Sequence, residues 1–170
     1  MKKILILLVL LVAVSCSNAQ KTEFSKEALS ASLVSSNNSL ITFNDILKSH
    51  TDKIILIEIW ASWCGDCVKA MPKIHELQAQ NPEVDYLFIS MDKSADNWKK
   101  AIVKYDLKGE HFMAIDQMKG VFGKSIDLDW IPRYIIIDKT GKIVVYRAIE
   151  TDFDLINNTL QELKKNNNKQ

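Results

Sequence analysis

Residues 54–67, Ile-Ile-Leu-Ile-Glu-Ile-Trp-Ala-Ser-Trp-Cys-Gly-Asp-Cys, constrain this chain more than any other stretch. Ile54 to Trp60 is apolar at every position but Glu58, so it does not alternate. A strand of that kind must be covered on both faces of a sheet. A short turn follows with cysteines at 64 and 67, and then a helical pattern in which Cys67, Met71, Ile74 and Leu77 share one face. The cysteines therefore stand where a buried strand hands over to a helix N-terminus. Unpaired backbone N–H groups and the helix dipole favour an anion there, and a thiolate is such an anion. Cys64 is placed to lose its proton and act as a nucleophile, with Cys67 one helical turn behind it.

The 170 residues suffice for one domain with a sizeable core. The net charge of +1, with no basic stripe interleaved with aromatics, argues against nucleic acid as a partner. Residues 1–19 read as a signal peptide. Lys2 and Lys3 precede the unbroken apolar stretch Ile4 to Val14, which is too short to span a bilayer comfortably. Ala13-Val14-Ser15-Cys16 resembles a bacterial lipobox, in which Cys16 would be lipidated and become the first mature residue. Cleavage after Ala19 is the rival, since Ser17-Asn18-Ala19 has small residues in the two required places. The lipobox is preferred, and either route exports the chain to the periplasmic side of a bacterial membrane. Only Cys64 and Cys67 then remain for thiol chemistry, too few for a stabilising disulfide framework.

Along the rest of the chain, residues 20–27 read as a linker, residues 28–165 as the folded domain and residues 166–170 as a polar tail. Ala28–Val34 and Leu40–Thr42 are expected to form a hairpin around the turn signal Ser35–Ser39. A helix from about Cys64 to Gln80 contains Pro72 and stops at Asn81-Pro82. Val84–Met91 is a strand, Ser94–Tyr105 a helix, Phe112–Ile115 a short strand and Met118–Lys124 a short helix. Tyr134–Asp138 and Ile143–Arg147 form a second hairpin, and Phe153, Ile156, Leu160 and Leu163 mark a last amphipathic helix. Strands alternating with helices, then a terminal hairpin and helix, describe an α/β sandwich with a mixed sheet.

Trp60-Ala-Ser-Trp-Cys-Gly-Asp-Cys67 resembles the thioredoxin active-site signature, with Asp66 where proline is usual. Lys69-Ala-Met-Pro72 is similar to the membrane-tethered TlpA/ResA-type thiol-disulfide oxidoreductases, although Ala70 stands where that pattern often has Glu. The resemblance runs from about residue 28 to the end of the last helix. It implies a thioredoxin fold with an N-terminal β-hairpin. The 64 residues between Cys67 and Pro132 exceed what a minimal thioredoxin needs and fit one inserted helix–strand unit. It also implies that Ile131-Pro132 is the cis-proline facing the active site, with the Ile131 backbone beside Cys64 to pair with an extended substrate segment.

Exchange chemistry follows from the pair itself. A Cys64 thiolate attacks a substrate disulfide, and Cys67 then attacks Cys64 and releases reduced substrate. Glu58 is the only charge in a run that should be buried, where an unpaired carboxylate costs several kcal/mol or keeps its proton. It matches the buried acid of the resembled family, which is more often Asp, and its expected role is to take the proton from Cys67. Trp63, Ile131 and Pro132 are expected to meet substrate, with Trp60 and Trp63 packing the turn. Trp130 fits a substrate groove or the core equally well, and Met91, Met113 and Met118 read as core filler. Gly65, Asp66 and Arg133 are expected to tune the pair. Asp66 disfavours a Cys64 thiolate, Arg133 favours one if it points at the sulfurs, and both are expected to be partly solvated.

The reading is an exported, lipid-anchored, monomeric reductant of protein disulfides. It needs no cofactor beyond the Cys64–Cys67 disulfide and no metal. The resemblance implies a membrane thiol donor and suggests cytochrome c maturation as a pathway. A disulfide oxidase or isomerase of the same fold stays open. So does a copper-binding assembly protein using the C-x-x-C, although His50, His75 and His111 are scattered and none lies near Pro132.

Overall fold

The computed structural model describes residues 21–167. The expected signal segment, the expected lipobox with Cys16, the first residue of the expected linker and the last three residues of the expected tail lie outside the described residues. The secondary structure runs α1 (Lys26–Ser30), β1 (Ser32–Ser35), β2 (Leu40–Thr42), α2 (Phe43–Ser49), β3 (Ile55–Trp60), α3 (Gly65–Gln80), β4 (Asp85–Ser90) and α4 (Ala95–Lys104). It continues through β5 (Glu110–Met113), α5 (Val121–Ser125), β6 (Arg133–Ile137), β7 (Ile143–Ala148) and α6 (Phe153–Asn167). The strands form one mixed sheet in the order β2-β1-β5-β4-β3-β6-β7. This is the α/β sandwich with a mixed sheet that the sequence pattern predicts, arranged as the resemblance to thioredoxins implies.

β3 sits inside the sheet, parallel to β4 and antiparallel to β6, and all six of its residues are buried. Side chains alternate along it, so Leu56, Glu58 and Trp60 face one side and Ile55, Ile57 and Ile59 the other. Tyr86, opposite Leu56, donates its hydroxyl to the Leu77 carbonyl of α3 at 3.0 Å. Tyr134, opposite Glu58, packs its ring on Phe153 of α6 at 5.4 Å between centroids. Helices α3 and α6 therefore cover the face that carries Glu58. From β3 through β4 to β5 the sheet grows in one direction, so right-handed crossovers put α4 on that face too. His75 and Gln78 of α3 hydrogen-bond the carbonyls of Tyr105 and Lys108, just past α4. The isoleucine face falls to α1, α2 and α5, which meet through Phe24, Phe43 and Phe122.

The inserted unit is α4–β5, and it does more than lengthen the chain. β5 pairs parallel with β4 and antiparallel with β1, so the N-terminal hairpin joins the core sheet through the insertion.

Three boundaries differ from the sequence reading. Residues 28–30 belong to α1 and not to a strand, because Ser25 caps a helix there, its hydroxyl accepting from the Ala28 N–H at 3.2 Å. The described part of the expected linker packs on the domain: Thr22 O accepts from Ile143 N at 2.8 Å, and Phe24 meets Phe43 edge-on at 4.9 Å. The last helix continues to Asn167, past the expected start of the tail.

Candidate active site

Because β3 and β4 are parallel and β6 runs against them, one end of the sheet collects the turn after β3, the turn after β4 and the approach to β6. The parallel partner β5 adds the segment after Met113 to the same end. Open α/β sheets place their ligand crevices outside the carboxyl ends of such strands.

Cys64 is the N-cap of α3, and its sulfur accepts the Cys67 N–H at 3.1 Å. The two cysteines are joined as a disulfide. Cys64 is 7% exposed and Cys67 is fully covered, so an approaching group reaches only the first sulfur. The Ile131–Pro132 peptide bond is cis, and the Ile131 carbonyl oxygen lies 3.5 Å from the Cys64 sulfur. A cleft of about 370 Å³ opens beside Cys64, walled by Trp63, Asp66, Met118, Trp130 and Ile131. Trp60 packs in the core as expected, whereas Trp63 is 62% exposed and belongs to the cleft wall. Trp130, at 54% exposed, also takes the cleft. Met91 and Met113 are buried in the core, while Met118 is half-buried and lines the cleft with Trp63.

Glu58 is 2% exposed and far from any sheet edge. Burial pushes its carboxyl up to about 8, and the Tyr134 hydroxyl, donating to Oε1 across 3.5 Å, opposes the shift only weakly. Its other oxygen has no hydrogen-bond partner among the described residues. Burial drives the Tyr134 phenol far above its ordinary value, so that hydroxyl remains a donor.

Asp92, two residues past β4, was not singled out by sequence and holds the redox turn in place. Its buried carboxylate accepts the Ser62 N–H at 2.9 Å, the Ser62 hydroxyl at 2.6 Å and the Ser90 hydroxyl at 2.7 Å. The signal for it was an acid at the carboxyl end of the strand beside the cysteine strand. Asp92→Ala strands these donors and is expected to destabilise the oxidised protein by about 1–3 kcal/mol. Ser62→Ala, which deletes one hydroxyl, should cost about 1 kcal/mol or less. Urea unfolding of both variants checks the order, and equal losses would contradict it.

The expected tuning residues separate. Gly65 is exposed, and a side chain there would meet open space. Asp66 is half-buried, with the Lys69 ammonium 3.4 Å away. Arg133 is not partly solvated: it is buried and forms an ion pair with Asp129, which Arg147 also pairs. Its backbone is opposite Ile59, so the side chain leaves β6 on the isoleucine face and not on the Glu58 face. Arg133 thus ties down the segment that carries Trp130 and Ile131. No group of three or more His, Cys, Asp or Glu side chains among the described residues is arranged to hold a metal ion. No helix among them is long and apolar enough to cross a membrane.

Comparison with known proteins matches residues 18–163 to the Redoxin family model. The thiol-disulfide oxidoreductase ResA of Bacillus cereus (strain ZK / E33L) is 31% identical over 100 residues, 58% of this chain and 56% of ResA. The chain thus spans about half the length of the curated ResA proteins it matches. Thioredoxin-2 of Pyricularia oryzae is 39% identical over 54 residues, 32% of this chain and 30% of that protein. Among solved structures, a thiol-disulfide oxidoreductase from Bacteroides fragilis superposes with a TM-score of 0.67 at 22% identity, covering 85% of this chain and 99% of its own. A secreted Mycobacterium tuberculosis disulfide oxidoreductase gives 0.63 at 16% identity, covering 81% and 99%. At these identities the two structures speak for the fold alone.

Proposed function

Because the chain belongs to the Redoxin family, we propose that it is a thiol-disulfide oxidoreductase that reduces polypeptide disulfides outside the cytoplasm. The observation that carries the reading is the Cys64–Cys67 disulfide at the N-terminus of α3, with its outer sulfur facing the Ile131 carbonyl in an open cleft. In the reduced protein the Cys64 thiolate attacks one sulfur of the substrate disulfide. A mixed disulfide forms, and the other substrate sulfur leaves as a thiolate. Cys67 then attacks the Cys64 sulfur, which releases the second substrate thiolate and closes the Cys64–Cys67 disulfide. Two electrons pass from the pair to the substrate. Glu58, on the face covered by α3, takes the Cys67 proton during the second attack when it is ionised, a fraction that grows as pH rises towards about 8. Trp63, Trp130 and the Ile131 backbone hold the substrate segment.

Each turnover leaves the pair oxidised, so a dithiol donor must restore it. A membrane thiol carrier is the donor we propose, with lipidation at Cys16 keeping a monomeric domain close to it. The reduction potential of the pair tests the direction. Equilibration with dithiothreitol is expected to give a value near about −270 mV, in the range of thioredoxin. A value near about −120 mV would make the protein an oxidase.

A further inference from the structure

Glu58 of β3 and Tyr134 of β6 stand opposite each other on the face that α3 and α6 cover. Glu58 is 2% exposed and Tyr134 is fully covered. The Tyr134 hydroxyl donates to Oε1 across 3.5 Å, the one donor that reaches this carboxyl among the described residues. Oε2 has none. A carboxylate so placed has lost its water, and its charge depends on whatever donates to it.

The other groups around the pair leave that task to Tyr134. On β4, Phe88 lies opposite Glu58, and the Tyr86 hydroxyl is committed to the Leu77 carbonyl. His111 of β5 stacks on the far side of Phe88, and burial pushes its imidazole pKa down. Helix α3 buries Cys67 with Ala70, Met71, Ile74 and Leu77, and α6 contributes Phe153, Ile156 and Leu160. On β7, Ala148 pairs with Tyr134, and Glu150 follows two residues later. Burial first, then the charges of Glu58 and Glu150, hold the phenol proton in place. Tyr134 therefore donates whether Glu58 is charged or neutral.

We propose that Tyr134 is the positioning residue of the proton step: its hydroxyl holds Oε1 and stabilises the carboxylate, and Oε2 is the oxygen that takes the Cys67 proton. This rests on the reading that Glu58 is the acceptor for Cys67. As Cys67 attacks, its proton passes to Oε2 and its sulfur bonds to Cys64. The bond from Cys64 to substrate breaks, and the substrate thiolate leaves with the electron pair. Tyr134 keeps its own proton throughout.

Tyr134→Phe tests this, since it keeps the ring on Phe153 and deletes the donor. The first readout is the carboxyl carbon resonance of Glu58 in oxidised protein carrying isotope-labelled glutamate, assigned with Glu58→Gln. Its midpoint is about 8 in the wild type. Losing a donor to the charged form should raise it by about half a unit or more. The second readout is the decay of the Cys64 mixed disulfide after rapid mixing of dithiol protein with excess disulfide peptide, quenched in acid and followed by intact mass. Tyr134→Phe should slow that decay by about threefold at about pH 7, and by little at about pH 10. In a Glu58→Gln background the same substitution should change nothing further. A Glu58 midpoint unmoved by Tyr134→Phe overturns the inference alone, as does a slowing that persists in the Glu58→Gln background. A midpoint that moves while the decay at about pH 7 does not overturns the acceptor reading together with it.

Discussion

Replacing Glu58 with leucine is expected to make the protein more stable at pH 8 and a slower catalyst. The carboxyl titrates near an ordinary value of 4.5 when unfolded and at about 8 when folded, because burial disfavours its charge. A raised folded pKa gives stability that is fully present below pH 4.5 and is lost as pH rises through 8. Each pH unit in that window is worth about 1.4 kcal/mol, so the whole span amounts to roughly 5 kcal/mol. Glu58→Leu removes this slope and leaves no orphaned oxygen, at the cost of the weak acceptor for Tyr134. The gap between variant and wild type should therefore widen by several kcal/mol from pH 4.5 to pH 8. Guanidinium unfolding of the oxidised forms across that range measures it. A gap that stays constant with pH would show that the buried carboxyl does not titrate there. The same substitution removes the proton acceptor for Cys67, and closure of the disulfide should slow by about a hundredfold or more. A residue kept against stability in this way is explained by use.

The sequence announced most of the fold through a few particular residues. The unbroken run Ile54–Trp60 required a strand covered on both faces, and β3 lies inside the sheet with every residue buried. Set against the resembled thioredoxins, the length between Cys67 and Pro132 fitted one inserted helix–strand unit, and α4–β5 is that unit. Where β5 pairs was not readable, because four short residues carry no information about their partner strand. The first helix was missed because Ala28 to Val34 reads as apolar and extended, while the Ser25 cap that decides the local structure lies three residues before it.

At the site, the Cys64–Cys67 pair and the burial of Glu58 were legible from local context, Glu58 being a charge in a buried run. The cis Ile131–Pro132 bond was expected from the thioredoxin resemblance alone, since a proline that opens a strand is ordinarily trans. Asp92 escaped because its role depends on β4 lying beside β3 in parallel, which places its carboxylate under Ser62. Arg133 was taken for a partly solvated charge because its partner, Asp129, acquires meaning only once the 129–133 segment has its bend. Charges near a site are read poorly from sequence, since their effect turns on direction and not on spacing.

The two cysteines are expected to fail in different ways. Cys64→Ser removes the sulfur that faces the cleft, so attack on substrate is left to the covered Cys67. Cys67→Ser leaves the attack intact and removes the resolving step, so the mixed disulfide accumulates and turnover stops after one event. Cys67 alone is fully covered and is not the helix N-cap, and its attack should be slower than that of Cys64 by roughly tenfold or more. The most direct measurement takes protein lacking residues 1–19, so that these are its only cysteines, and mixes each variant with an oxidised peptide. Intact mass and peptide mapping then report the adduct. The account predicts one peptide per chain bound to Cys64 in the Cys67→Ser variant, with little adduct in Cys64→Ser over the same time. An adduct that forms equally through Cys67, or none in either variant, would contradict it.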